Sequence, residues 1–170
     1  MANETARGRI RVATVADAAG IAEVQVAAWH AAYRGIVPDK LLDGFVFAAR
    51  YPRWQKNLSE PGSVARTTVL VRENRVVAFA SVGPSRDEPG AGEVWALYAH
   101  PDDWRTGAGR ALLEDGLAYL AERRLGPVML WVLAANARAI RFYEAAGFLL
   151  DGGRKDDDGL EGVRMRKHLG

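Results

Sequence analysis

The chain has 170 residues, 49% of them apolar and 26% charged, with 23 Lys+Arg against 21 Asp+Glu. That composition fits one globular domain spanning residues 1–170 and excludes a disordered chain. A net charge of +2 is too small to argue for a nucleic-acid partner, and the absence of cysteine rules out disulfides, thiolate-bound zinc and a cysteine nucleophile.

No apolar run reaches the roughly 18 residues of a membrane helix. The opening MANETARGRIR places no apolar stretch behind its arginines. A cytoplasmic protein without a membrane partner is therefore expected. The Asn3-Glu4-Thr5 and Asn57-Leu58-Ser59 triplets then match the glycosylation pattern by chance. Arginine outnumbers lysine 19 to 4, which reads as genome composition.

Residues 9–14 alternate and predict a first strand. Thr14-Val15-Ala16-Asp17 fits a capping box, opening a helix with Ile21, Val24, Ala28 and Ala32 on one face. That helix should stop by Gly35, ahead of Pro38. A second helical stretch over 45–57 carries Phe45, Phe47, Tyr51 and Trp54, and Pro52 predicts a break into two pieces.

Two strands over 66–72 and 75–82, with Glu73-Asn74 between them, read as an antiparallel hairpin. Pro84–Gly92 is a polar loop, 93–99 is a central strand, and 107–124 is a helix opened by glycines. The run VMLWVL at 128–133 predicts a buried strand. Asn136 caps a short helix that ends at Gly147. Residues 148–150 and 163–166 form a last hairpin turned near Asp158-Gly159. The order β-α-α-β-β-β-α-β-α-β-β implies a mixed sheet of the α/β or α+β class.

Residues 104–110, Trp-Arg-Thr-Gly-Ala-Gly-Arg, join a strand to a helix. Glycines there let the backbone approach a ligand, and successive N–H groups with the helix dipole suit a phosphate or pyrophosphate. The same glycines also serve a tight turn and nothing more. A Walker loop would need Lys-Ser or Lys-Thr after Gly109, and a Rossmann loop a third glycine where Leu112 stands. Neither fits.

Two blocks, EVWALYAHPDDWRTGAGRALL at 93–113 and LWVLAANARAIRFYEAAGF at 130–148, resemble the cofactor motif and the second motif of the GNAT acetyltransferases. The resemblance implies a mostly antiparallel central sheet of six to seven strands with about four helices, strands 4 and 5 splayed around acetyl-CoA. By position, Leu97, Tyr98 and Ala99 would meet the pantetheine arm like an added strand. Arg105, Thr106, Gly107, Ala108, Gly109 and Arg110 would cradle the pyrophosphate. Asn136 matches the cofactor contact near the second helix, and Tyr143 the tyrosine near the thioester sulfur. Many members carry Gln or Arg where this chain has Trp104.

The implied reaction is direct attack of an amine on the thioester. Deprotonating an alkyl ammonium of pKa about 10.4 at neutral pH costs roughly 4–5 kcal/mol, so a general base is useful. Glu93 matches the base glutamate of histone-acetylating members, and is otherwise a strand-end carboxylate. Tyr143 is the candidate general acid, contributing chiefly a hydrogen bond to developing negative charge; otherwise it is a core aromatic. The three histidines lack metal-ligand spacing and Asp156-Asp157-Asp158-Gly159 lacks a calcium pattern, so no metal is expected.

Acceptor sites in the family use the first two helices, their loop and the far ends of strands 4 and 5. Here those regions offer Trp29, Tyr33, Arg34, Trp54, Trp95 and Trp131, in an aromatic cleft for a small-molecule amine. The ribosomal-protein branch carries glutamate where this chain has Trp131. Acetylation of protein lysines or N-termini, and a non-catalytic acyl-CoA sensor, are the alternatives. Homodimers are common in the family, and no residue here fixes an interface.

Overall fold

The computed structural model describes residues 8–170, so the Asn3-Glu4-Thr5 triplet and most of the opening segment lie outside the described residues. Seven strands form one sheet in the order β1-β2-β3-β4-β5-β7-β6. They are β1 (Arg9–Val12), β2 (Arg66–Arg72), β3 (Arg75–Pro84), β4 (Gly92–Ala99), β5 (Val128–Leu133), β6 (Leu149–Asp157) and β7 (Leu160–Lys167). Five α-helices flank it: α1 (Ala18–Tyr33), α2 (Asp39–Asp43), α3 (Phe47–Ser59), α4 (Ala108–Glu122) and α5 (Ala137–Ala145).

Period-2 alternation sorts the strand side chains between two faces. Val69 and Phe79 turn to α1 and α3, where they pack with Ile21, Val24 and Trp54. Leu70, Ala78 and Ala80 turn the other way, onto Ala108 and Leu112 of α4. Burying each large apolar side chain contributes about 1.5–3 kcal/mol. Those two layers clamp the sheet along its first four strands.

The capping box at Thr14 is formed, with Thr14 N–H donating to Asp17 Oδ2 at 2.8 Å. Arg11 grips the same carboxylate at 2.7 and 2.9 Å and holds it below the usual aspartate range. The first hairpin turns on Glu73 and Asn74, both left-handed (φ 49° and 59°), the twist a two-residue hairpin requires. At the end of α5, Phe148 N–H reaches Tyr143 C=O at 3.0 Å and Gly147 N–H reaches Glu144 C=O at 2.9 Å. Gly147, at φ 94°, is thus the left-handed glycine of a Schellman close.

Two expectations are corrected. Pro52 does not break its helix: α3 runs unbroken from Phe47 to Ser59 with Pro52 inside. Packing of Trp54 against Phe79 and a 2.8 Å bond from its indole to Gln25 hold the segment helical where propensity alone would not. The last hairpin is longer than 148–150 and 163–166. Its outer strand β6 is an exposed, polar edge without apolar alternation, tied to β7 by Arg154–Glu161 and by Arg164 and Arg166 on Asp151. The short α2 carries too few residues for a periodic signal.

Strands β4 and β5 are the sheet's parallel pair, and their pairing covers only Gly92–Val94 against Val128–Leu130. Beyond Val94 and Leu130 the two strands separate. Each stays paired on its outer side, β4 with β3 and β5 with β7. The sheet therefore opens into a wedge at its centre.

Candidate active site

A cavity of about 720 Å³ fills this wedge, lined by α1 residues on one face of the sheet and by residues of α4 and α5 on the other. Leu97, Tyr98 and Ala99 form its β4 wall. On one face it reaches the loop ahead of α4. Arg105 and Gly107 are left-handed there (φ 62° and 86°), and Gly107 is the helix N-cap. No side chain caps this end of α4, so its first-turn N–H groups remain open donors. A Cβ on Gly107 would meet nothing within 4 Å, and one on Gly109 would meet only the Phe142 ring at 3.5 Å. The backbone is thus approachable from the cavity.

Arg105, Gly107, Ala108, Gly109 and Arg110 line the cavity. Thr106 does not; its hydroxyl donates to Asp103 C=O at 2.6 Å and accepts from Arg72 at 2.8 Å, pinning the loop from behind. Trp104 donates its indole N–H to Ala99 C=O at 2.9 Å, which ties the loop to the end of β4. Its ring carries the Arg138 guanidinium at 3.5 Å. Burial lowers the proton affinity of Arg138, and the charge of Arg105 lowers it further.

Two guanidiniums held together beside open helix N–H groups form a strongly anion-seeking surface. These residues fit the diphosphate of a coenzyme A thioester. Arg138 did not emerge from the sequence. Its signal was present, because a cation in the first turn of α5 opposes the helix dipole unless an anion joins it.

Tyr143 is buried between Phe142 and Phe148, both edge-on to it, and it lines the cavity. No described residue hydrogen-bonds its hydroxyl. Burial, with smaller contributions from Tyr98 and Tyr33, pushes this phenol far above the ordinary tyrosine range. Asn136 caps α5: its side-chain oxygen accepts from Ala139 N–H at 3.1 Å while its amide nitrogen donates to Tyr33 at 3.2 Å.

Glu93 stands at the start of β4, is 1% exposed, and is not among the residues lining the cavity. Arg86 encloses it. The Arg86 backbone N–H donates to Oε1 at 3.0 Å and Nε to Oε2 at 3.2 Å, and Nη2 also binds Oε2. Arg86 itself faces the cavity and lies over the Trp95 ring at 5.2 Å. Neither Arg86 nor its pairing was visible in the sequence, because the two residues belong to a loop and a strand with no periodic relation.

On the other face, Trp29, Tyr33, Trp95 and Trp131 all line the cavity. Trp29 stacks on Phe45 at 4.2 Å and donates to Tyr98 at 3.1 Å. Trp131 donates to Asp87 at 2.8 Å and carries Lys155 over its ring at 4.4 Å. Trp54 and Arg34 lie elsewhere, Trp54 in the α1–α3 core and Arg34 on His30 at 3.0 Å. Among the described residues, no group of three or more His, Asp or Glu side chains could hold a metal ion, and no helix is long and apolar enough to cross a membrane.

Residues 16–148 match the model of the acetyltransferase (GNAT) family. The chain belongs to the GNAT acetyltransferases. It is an acyltransferase. Among similar GNAT proteins, the uncharacterized N-acetyltransferase YuaI of Bacillus subtilis is 30% identical over 160 residues, 93% of this chain and 88% of that protein. The mycothiol acetyltransferase of Rhodococcus opacus is 42% identical over 92 residues, 52% of this chain but only 30% of its own length.

Among solved GNAT structures, PaiA N-acetyltransferase from Thermoplasma acidophilum in complex with coenzyme A superposes with a TM-score of 0.76. It covers 95% of this chain and 98% of that one at 18% identity, a likeness of fold. A ribosomal-protein-alanine N-acetyltransferase from Brucella melitensis superposes at 0.68 with 27% identity, covering 95% and 99% of the two chains.

Proposed function

We propose that the protein is an acetyl-CoA-dependent N-acetyltransferase acting on a primary amine of a small molecule. The observation that carries this reading is the single cavity through the β4–β5 wedge, with an anion-seeking backbone loop on one face and an aromatic chamber on the other. Its volume of about 720 Å³ falls in the range of small-ligand sites. The partial match to a mycothiol acetyltransferase, whose name specifies a small-molecule substrate, points the same way.

Bound acetyl-CoA supplies an activated acyl group and a thiol as leaving group. Gly107 to Arg110 offer backbone N–H groups to the diphosphate, with Arg105 and Arg138 adding charge. Leu97, Tyr98 and Ala99 offer main-chain groups to the pantetheine arm, and Asn136 holds the second wall of the wedge. Tyr143 keeps its proton throughout the neutral range, because burial raises its pKa. Its hydroxyl donates a hydrogen bond where negative charge develops on sulfur.

Glu93 is the less favoured proton acceptor. Its carboxylate is occupied by the Arg86 guanidinium and backbone N–H, and it is walled off from the cavity. We infer that Glu93 anchors Arg86 and the loop behind Trp95.

The deciding experiment is thiol release from acetyl-CoA with a panel of small amines and a panel of peptides. Turnover with small amines is expected. Turnover with peptides alone would replace this reading with protein acetylation, and acetyl-CoA binding without turnover would leave a sensor.

A further inference from the structure

The α1 side of the cavity contains hydrogen-bond donors whose oxygens are occupied and whose protons are unclaimed. The Trp29 indole N–H can only donate, so Tyr98 Oη is its acceptor at 3.1 Å. Asn136 is equally constrained. Its oxygen accepts from Ala139 N–H, so its NH₂ group must donate to Tyr33 Oη at 3.2 Å. Both phenols are left with a free O–H, and no described residue accepts either proton. Tyr33 is 7% exposed and both residues line the cavity. Burying a hydroxyl donor without an acceptor is unfavourable, and donors of this kind call for an acceptor atom from a ligand.

The charges at this end are sparse and specific. Arg86 is committed to Glu93, and Asp87 to the Trp131 indole. Lys155 has no ion pair among the described residues. It is nonetheless well placed, because its stem crosses the bare Cα of Gly162, where a Cβ would meet it at 3.3 Å, and its ammonium rests on Trp131. Asp157, two residues further along the same strand, also faces the cavity without an ion pair. The lining here leaves one cation and one anion unpaired, which suits a zwitterion, and the Arg50 charge acts on Tyr98 from outside the lining; a polyamine would need several carboxylates.

We propose that this end of the cavity receives a zwitterionic, amino-acid-like acceptor, whose carboxylate accepts from the Tyr33 and Tyr98 hydroxyls, with the Lys155 ammonium as the unpaired cation of the lining. The proposal rests on the acetyl-transfer reading above and specifies its substrate class. The amine nitrogen forms the new N–C bond as the thioester C–S bond breaks. The ammonium of the zwitterion gives up one proton to solvent before attack, and the proton lost from nitrogen on attack ends on the departing sulfur, giving the thiol. The carboxylate stays unchanged and serves only to hold and orient.

The test compares phenylalanine with phenylalaninamide and phenethylamine, and leucine with its matching amide and amine. Two readouts are taken: thiol release from acetyl-CoA, and calorimetric binding to protein carrying a non-hydrolysable acetyl-CoA analogue. The free acids should lead their partners by about ten- to a hundredfold in both, as expected for hydrogen bonds to a charged group. Lys155→Met and Tyr33→Phe should each shrink that lead, and Lys155→Arg should keep it. Acetyl-CoA affinity of each variant reports that it is folded.

Equal values across each trio, or a lead that neither variant moves, overturns the proposal. A preference for the amides, amines or peptides also overturns it while acetyl transfer stands. Selective acid binding without turnover of any amine keeps the subsite and overturns the acetyl-transfer reading instead.

Discussion

The two ends of the cavity are built by different means. The α4 end is made of main chain: a left-handed Gly107, an uncapped first helical turn and a loop pinned from behind by Thr106 and Trp104. The α1 end is made of side chains from α1, β4, β5 and the β6–β7 hairpin, joined by bonds such as Trp29 to Tyr98 and Asn136 to Tyr33. A main-chain site tolerates many side chains but few backbone changes. A side-chain site behaves in the opposite way.

The sharpest way to break the contrast is Gly107→Asp. The new Cβ has room, so the fold should survive, but the left-handed φ strains any L-residue and the carboxylate repels phosphate. Acetyl-CoA affinity should fall by at least about 10²-fold, equivalent to roughly 3 kcal/mol, measured by calorimetry. Unaltered affinity in a folded variant would remove the loop from the site.

Tyr143→Phe sits between the two ends. Turnover should drop by about 10–10³-fold while acetyl-CoA affinity stays near that of the wild type. The sign of the pH effect is fixed by the raised pKa: the useful form is the protonated phenol, so no alkaline loss of activity from Tyr143 should occur below about pH 10. An alkaline limb below that pH, abolished by the substitution, would contradict this.

Arg86→Met tests whether Glu93 is an anchor. Removing the guanidinium leaves a carboxylate 1% exposed with only a backbone donor, and stability should fall by about 2 kcal/mol in chemical denaturation. If Glu93 were a base held back by Arg86, the variant would instead be faster.

The smallest effect is expected from Asn136→Ala. It removes a helix cap and the donor to Tyr33, and should cost about 1 kcal/mol of stability. Its KM for the amine should rise more than its KM for acetyl-CoA. The opposite ordering would move Asn136 to the α4 end.

Legibility in the sequence follows the same division. The glycines at 107 and 109, the cap at Asn136 and the close at Gly147 are local signals, each tied to a backbone requirement within a few residues, and the structure has them as the sequence implies. So do the strands that are half-buried and alternate. Of edge strand β6 only the start was legible, at 149–150, because nothing packs on the rest to enforce a pattern. Pro52 misled because tertiary packing of Trp54 outweighs a local penalty. Arg86 and Lys155 were invisible for another reason: their partners lie on other elements, and no spacing along the chain announces such a contact. Arg138 offered only its unfavourable place in the first turn of α5.

Only three residues of β4 pair with three of β5, so the sheet is in effect two half-sheets hinged along a short seam. Past that seam neither strand has a strand partner on the cavity side. A ligand laid there acts as a keystone, because bridging the gap stiffens both halves at once. Ligand occupancy should therefore slow amide exchange in β5 and β7 as strongly as in β4, although the first two lie beyond the seam from the phosphate loop.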